Sequence, residues 1–293
     1  MAKIEKRLDS NVPGNFYVDA TCINCDTCRQ LAPASFEELG DYSAVTGQPR
    51  NAEQIRQAYQ ALVACPVGSI GTEHSDGAAL RAAKESFPLH LEDGVYYCGF
   101  NSEKSFGANS FFIARPDGNW LIDSPRYLKP LVEAFESRGG LAHIFLTHED
   151  DVADADRYAR RFGARRIIHR ADAAAVPDAE WIVEGTDPIP LAPDLLAIPV
   201  PGHTPGSMAL LYKNRFLCTG DHLWWDPRAG TLAAPQRLVW RRAALVESLR
   251  TLLNYRFDWV LAGHGHRSCL GAAELRAHLA ALVEHRHAAV PAR

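Results

Sequence analysis

Ile144-Phe145-Leu146-Thr147-His148-Glu149-Asp150-Asp151-Val152-Ala153-Asp154 passes abruptly from an apolar run to one imidazole and three successive carboxylates. An apolar run this short reads as a buried strand. The polar cluster then stands where a strand leaves its sheet, which is where α/β proteins place their sites. Nitrogen and oxygen donors in this mixture suit hard and borderline metal ions. The stretch also has a plainer reading, because acidic residues are favourable in the first turn of a helix. Val152 to Phe162 carries a helical pattern, with Arg157, Arg160 and Arg161 in its C-terminal half, and Leu238 to Leu253 also reads as a helix.

Three more strand ends decide between these readings. Leu195 to Val200 reads as a strand and runs into Pro201-Gly202-His203-Thr204-Pro205-Gly206-Ser207, a rigid turn that presents an imidazole. Arg215 to Thr219 runs into Gly220-Asp221, and Trp259 to Ala262 runs into Gly263-His264-Gly265-His266. A lone histidine is an ordinary structural residue. His148, His203, Asp221 and His264 at four strand exits, two of them in glycine-rich turns, form a pattern. Glycine there lets the backbone turn sharply and approach a ligand. His222, His266, Trp224 and Trp225 adjoin these positions and read equally well as pocket or structural residues.

A second constellation lies near the start of the chain. Cys22-Ile23-Asn24-Cys25-Asp26-Thr27-Cys28 puts three thiols on one tight loop. Such a loop can wrap three corners of an iron–sulfur cube, and Cys65-Pro66 supplies the fourth sulfur at the end of a predicted helix over 51–63. Four thiolates can also hold a structural zinc. The other cysteines, Cys98, Cys218 and Cys269, read as small core residues.

The chain has 293 residues, 47% hydrophobic and 23% charged, which allows one large or two modest globular domains. A formal net charge of −4 gives no reason to expect nucleic acid or a membrane surface as partner. No apolar stretch resembles a signal peptide or a bilayer span, and seven cysteines are an odd number for a disulfide framework. The expectation is a cytoplasmic protein. The units are placed at 14–74 for the cysteine-rich domain, 75–89 for a linker with a short helix, and 90–288 for the second domain.

From Tyr17 to about Ile70 the chain resembles the small bacterial-type ferredoxins. Where two-cluster members carry a further cysteine, this chain has Ala32, with Pro33 retained. The resemblance therefore implies a single 4Fe–4S cluster held by Cys22, Cys25, Cys28 and Cys65. That cluster can be redox-active or a staple for a fold with little core.

From 90 to 285 the chain resembles the metallo-β-lactamase superfamily, on Thr147-His148, Pro201 to Ser207, Thr219-Gly220-Asp221 and Gly263-His264-Gly265. The resemblance implies an αββα sandwich, with a ferredoxin-like α+β domain before it. It implies His148 and His203 as ligands of a first Zn or Fe ion, Asp221 as a shared ligand and His264 as a ligand of a second. The family pattern His-x-His-x-Asp-His reads here His148-x-Asp150-x-Val152-Ala153. Asp150 replaces a histidine ligand, and Val152 and Ala153 remove two ligands of the second ion. The second site is expected to be degenerate unless Asp151 or Asp154 reaches into it.

Hydrolysis of a small ester, thioester or lactam is the reading this resemblance favours, with the metal activating water and stabilising an oxyanion. No catalytic residue is assigned from sequence. Two alternatives stand beside it. His148, His203 and Asp221 form a two-His, one-carboxylate set that suits non-haem iron. An iron-dependent redox enzyme, similar to persulfide dioxygenases or in part to flavodiiron proteins, would receive electrons through the cluster from a carrier protein. The other alternative is a non-enzymatic redox or oxygen sensor.

Overall fold

The structure, a computed structural model, describes residues 2–288. The N-terminal unit contains β1 (Phe16–Val18), α1 (Thr27–Leu31), β2 (Phe36–Leu39), β3 (Tyr42–Val45), α2 (Ala52–Ala64) and β4 (Ile70–Thr72). β1 pairs antiparallel with β4, and β2 with β3. Asn51 caps α2 by accepting from the Gln54 amide at 2.9 Å. The helix ends at Cys65, and Pro66 follows, which cannot continue the helical hydrogen bonding. The next helix, α3 (Gly77–Glu85), packs on α2, so the segment read as a linker is docked rather than free. Asp76 caps it by accepting from the Ala78 and Ala79 amides.

The second unit is built from two mixed sheets. The first contains β5 (Leu89–Glu92), β6 (Val95–Tyr97), β7 (Phe111–Ile113), β8 (Trp120–Ile122), β9 (His143–Phe145), β10 (Arg165–His169) and β11 (Trp181–Val183), side by side in that order. β5 to β8 form an antiparallel meander, and β8 to β11 run parallel. The parallel crossovers carry α4 (Lys129–Glu136) and α5 (Ala155–Phe162). The second sheet contains β12 (Ile189–Ala192), β13 (Leu195–Pro199), β14 (Met208–Tyr212) and β15 (Phe216–Gly220). After the hairpin of β16 (Trp224–Asp226) and β17 (Thr231–Ala233) and helix α6 (Arg242–Leu252), it is completed by β18 (Trp259–Ala262) and β19 (Ser268–Cys269). Helix α7 (Ala272–Ala288) is the last element among the described residues.

Burial arranges these elements in layers. Phe112 stacks on Phe135 of α4 at 5.0 Å, so α4 covers the outer face of the first sheet. Leu210, Phe216 and Leu261 of the second sheet share a core with Phe111, Ile122 and Phe145 of the first. Leu211, Leu217 and Val260 turn the other way, onto Leu249 of α6 and Leu275 of α7. This is the αββα sandwich. Each fully buried side chain of this size contributes about 1.5–3 kcal/mol from the area removed from water. The N-terminal unit joins the same core through Phe16 and Tyr59, and the segment after α3 through Phe87. Half-buried Arg126 donates to the Val63 and Cys65 carbonyls at 3.0 and 3.1 Å, which fixes the two units together.

Three sequence expectations need correction. The helix expected from Val152 begins only at Ala155, because Ala153 has φ +32° and breaks the helical run. Glu149–Asp151 form a separate 3-10 turn instead. The helix expected from Leu238 begins at Arg242, since Leu238 has φ +54°. Cys269 is exposed on an edge strand rather than buried, whereas Cys98 and Cys218 lie in the core as expected. No helix among the described residues is long and apolar enough to cross a membrane.

Candidate metal centre

His148 leaves the end of β9 fully buried, and its two ring nitrogens meet different surroundings. Nδ1 lies 2.9 Å from Thr147 Oγ1, which in turn lies 3.0 Å from both oxygens of Asp123. The Asp123 carboxylate also accepts the Thr147 amide at 2.8 Å. With the threonine hydroxyl donating to Asp123, His148 Nδ1–H donates to the threonine oxygen. The Nε2 lone pair is then left buried with no hydrogen-bond partner among the described residues, 3.7 Å from oxygens of Asp150 and Asp221. A lone pair facing carboxylate oxygens is unfavourable unless a cation stands between them.

His203 repeats this logic. Its Nδ1 donates to the Leu238 carbonyl at 2.6 Å, which aims Nε2 at Asp150 at 3.2 Å and Asp221 at 3.7 Å. Leu238 can offer that carbonyl because it left the helix expected for it. The Pro201–Ser207 turn is anchored by fully buried Asp172, which accepts from Thr204 Oγ1, from the Gly206 amide at 2.8 Å and from the Glu149 amide at 3.2 Å. Asp172 thereby ties the His203 loop to the 3-10 turn after His148. The Met208 amide donates to the Thr147 carbonyl at 2.7 Å and joins the sheets at the same point.

Asp221 sits between the two histidines and His264. Gly220 before it has φ +49°, and an added Cβ would lie 2.4 Å from Thr147 Oγ1. Only glycine lets β15 come that close to β9. His264 Nδ1 lies 2.7 and 2.9 Å from the Asp221 oxygens, and its Nε2 lies 3.4 Å from the Phe106 carbonyl. Burial works against a charged His264, but Asp221, Asp151 and Asp26 outweigh it and hold its pKa up at about 10. Burial alone would raise the Asp221 pKa, yet His264, His148 and His203 pull it well below the carboxylate range. Burial keeps His148 neutral, with its pKa lowered.

The structure therefore brings all five predicted residues, His148, Asp150, His203, Asp221 and His264, to one place. His148, His203 and Asp221 offer donor atoms within 4.8 Å of one another. Of the two residues that could reach into the second position, Asp151 does so. Asp151, Asp221 and His264 form another donor group within 4.8 Å. Both Asp151 oxygens are buried and unpartnered, and burial, with Asp221 and Asp123 beside it, pushes the Asp151 carboxyl well up. The 3-10 turn supplies this placement: it points Asp151 inward where a helix from Val152 would have turned it elsewhere. Asp154 does other work, accepting from Lys104 Nζ at 2.7 Å and the Tyr127 amide at 2.8 Å. Orphaned nitrogen and oxygen donors in two groups that share one carboxylate fit two metal ions.

The groups open into a cleft of about 1070 Å³. Its walls include Phe106, Pro205, Trp224, Leu238 and Trp240, with Lys104 and Arg237 bringing positive charge. Trp224 thus belongs to the pocket, while Trp225 packs edge-on against His278. His222 is fully buried away from the cleft, and burial, then His203, lowers its pKa to about 3. Sequence reasoning missed Asp123, Asp172 and the Leu238 carbonyl. Thr147 was noted only as part of a motif.

The four cysteines of the N-terminal unit also converge. Cys22, Cys25, Cys28 and Cys65 line one small pocket with Val18, Ile23, Val67 and Ile70. None is in a disulfide. Burial pushes the Cys25 thiol up to about 12 and raises Cys28 likewise, so thiolates there require a cationic partner. Backbone amides of Asn24 and Ser69 donate to Cys22 Sγ at 3.4 Å and Cys65 Sγ at 3.3 Å. A sulfur-lined apolar pocket with amide donors fits an iron–sulfur cluster.

Comparison with known proteins finds a match for each of the two units. Residues 18–72 match the model of the 4Fe-4S single cluster domain of Ferredoxin I. Residues 87–282 match that of the metallo-beta-lactamase superfamily. A hydroxyacylglutathione hydrolase of Acidiphilium cryptum (strain JF-5) is 36% identical over 119 residues, covering 39% of this chain and 49% of the relative. A hydroxyacylglutathione hydrolase of Anaeromyxobacter dehalogenans (strain 2CP-C) is 40% identical over 80 residues, covering 27% of this chain and 30% of the relative. The chain thus spans about half the length of the first of these relatives and less of the second. Among solved structures, DIM-1 metallo-beta-lactamase superposes with a TM-score of 0.51 at 15% identity, covering 67% of this chain and 95% of that one. That likeness is one of fold.

Proposed function

Because this chain belongs to the metallo-beta-lactamase superfamily, and carries a 4Fe–4S ferredoxin domain ahead of that fold, we propose that it is a metal-dependent hydrolase of small esters or thioesters. Hydroxyacyl thioesters are the first substrates to test, since that is the activity the two curated relatives are named for. The observation that carries the reading is the pair of donor groups sharing Asp221 at the floor of an open cleft.

His148, Asp150, His203 and Asp221 would hold one ion, and Asp151, Asp221 and His264 the other. Bound there, the metal pair supplies activated water and polarises the carbonyl under attack. The protein does the rest. Thr147 and the Leu238 carbonyl hold protons on the Nδ1 atoms of His148 and His203, so both Nε2 lone pairs face the Asp150 and Asp221 carboxylates. Asp172 holds the two loops in register. Phe106, Trp224 and Trp240 offer apolar surface to an acyl or thiol substituent, and Lys104 and Arg237 favour a substrate with negative charge. At about 1070 Å³ the cleft is large enough for a substrate with two substantial arms.

Elemental analysis, EPR and thiol release should be compared for anaerobically purified wild type and His203→Ala. Zinc, manganese or non-cluster iron lost from the variant together with thiol release supports the hydrolase. Absence of ester and thioester turnover in every metal-loaded form, with consumption of oxygen or a persulfide instead, rejects it.

A further inference from the structure

Hydrolysis transfers no electrons, so it gives the iron–sulfur pocket no task. Yet one short segment touches both that pocket and the metal centre. Gly107 has φ +88°, and an added Cβ would lie 2.6 Å from Cys25 Cβ and 2.9 Å from Cys25 Sγ. Its backbone is therefore pressed against a cluster cysteine, where no side chain fits. The residue before it, Phe106, is non-glycine yet holds φ +50°, and its carbonyl lies 3.4 Å from His264 Nε2. His264 Nδ1 faces Asp221 at 2.7 Å. A metal-bound histidine commonly donates its other N–H to a backbone carbonyl, and Phe106 stands in that position.

A second connection runs beside the first. Fully buried Asn101 donates to the Gly107 carbonyl at 2.7 Å and to Thr27 Oγ1 at 3.1 Å, and the same nitrogen lies 3.2 Å from Asn109 Oδ1. Thr27 Oγ1 lies 3.4 Å from Cys25 Sγ. The Asn109 amide donates to the carbonyl of Gly263, next to His264, at 2.7 Å. Both routes are mostly covalent or hydrogen-bonded and run between Cys25 and His264.

We propose that the Phe106–Gly107 peptide, together with the Asn101–Thr27 hydrogen bonds that join it to Cys25, passes single electrons between the 4Fe–4S cluster and a redox-active ion held by Asp151, Asp221 and His264. The reduced cluster loses one electron and returns to its oxidised core. A ferric ion at the second position gains that electron and becomes ferrous. No bond forms or breaks. The reductant that refills the cluster is a low-potential one-electron carrier protein. The inference goes beyond hydrolysis and stands whether or not thioesters are turned over.

The test uses full-length anaerobic protein with its cluster intact and either iron or zinc in the metal centre. One equivalent of dithionite stands in for the carrier. Freeze-quenched EPR follows the reduced-cluster and ferric signals, and stopped-flow absorbance follows cluster reoxidation. In iron-loaded wild type the reduced-cluster signal should disappear as the ferric signal is lost; with zinc it should persist. Gly107→Ala should lose the fast phase of reoxidation. Thr27→Val, nearly isosteric and chosen in case Gly107→Ala cannot retain a cluster, should slow it. Persistence of both signals in iron-loaded wild type overturns the proposal. So does failure of the second position to take up iron, or a wild-type rate in Thr27→Val.

Discussion

Asp151 and Asp221 hold carboxylate oxygens within 4.8 Å of each other, with His264 as the third donor. Asp151 is fully buried and neither of its oxygens has a hydrogen-bond partner among the described residues. Two such carboxylates repel, and an ion between them turns the repulsion into coordination. Asp151→Asn should therefore act in opposite directions. The metal-free variant should be more stable than metal-free wild type, because an unpaired buried charge is removed. The metal-loaded variant should hold one ion fewer per chain. The native carboxyl is raised above its unfolded value, so its contribution to metal-free stability is fully present below the ordinary carboxylate range. That contribution is lost as pH rises, and the variant should flatten the loss. Thermal melts across pH and elemental analysis check both; unchanged metal content would refute the assignment of Asp151.

Thr147 lies between Asp123 and His148 Nδ1 and contacts the metal centre only through that ring. Thr147→Val keeps the shape and removes the hydroxyl. Metal affinity should fall by about 10–100-fold, the usual effect of losing a residue that orients a metal-binding histidine. Competition with a chromophoric chelator measures it. Wild-type affinity would show that the hydroxyl does not set the tautomer.

Asp172 receives the Thr204 hydroxyl and the Gly206 and Glu149 amides while fully buried. Asp172→Ala leaves those donors without their partner and should cost about 1–3 kcal/mol of stability. It should also loosen His203. Denaturant melts of the metal-free protein isolate the stability effect, and metal titration reports the second.

Glu180 lies on buried Arg166, whose Nη2 donates to it at 2.7 Å. That pairing, against a smaller burial penalty, holds the Glu180 pKa down at about 2. A depressed carboxylate stabilises above its unfolded value and loses that contribution as pH falls through its folded one. Glu180→Gln should thus be less stable than wild type at neutral pH. The gap should narrow between the ordinary glutamate range and about pH 2. Paired denaturation curves at several pH values check it; a constant gap would mean the ion pair is not its source.

Cys28→Ser should abolish the visible absorption of the iron–sulfur cluster and lower iron by about four per chain. Non-cluster metal should remain, because His148, His203 and Asp221 share no donor with the cysteine pocket. Loss of all metal together would show that the two sites assemble as one.

Local pattern in the sequence specified much of this protein. Cysteine spacing with Cys65-Pro66 marked the iron–sulfur pocket, since the covalent geometry of a short loop dictates which thiols can share it. Apolar runs ending in His148, Pro-Gly-flanked His203, Gly220-Asp221 and Gly263-His264 marked both the sandwich and its metal centre, because strand exits and glycine turns are encoded within a few residues. What lay beyond local pattern depended on backbone conformation and on partners distant in sequence. The positive φ of Ala153 breaks the expected helix, and the 3-10 turn before it brings Asp151 to Asp221. The positive φ of Leu238 frees the carbonyl that orients His203. Asp172 looks like any helix-flanking aspartate until three distant donors close on it. The fit of Gly107 against Cys25 joins residues from separate units, and only the docking of those units creates it.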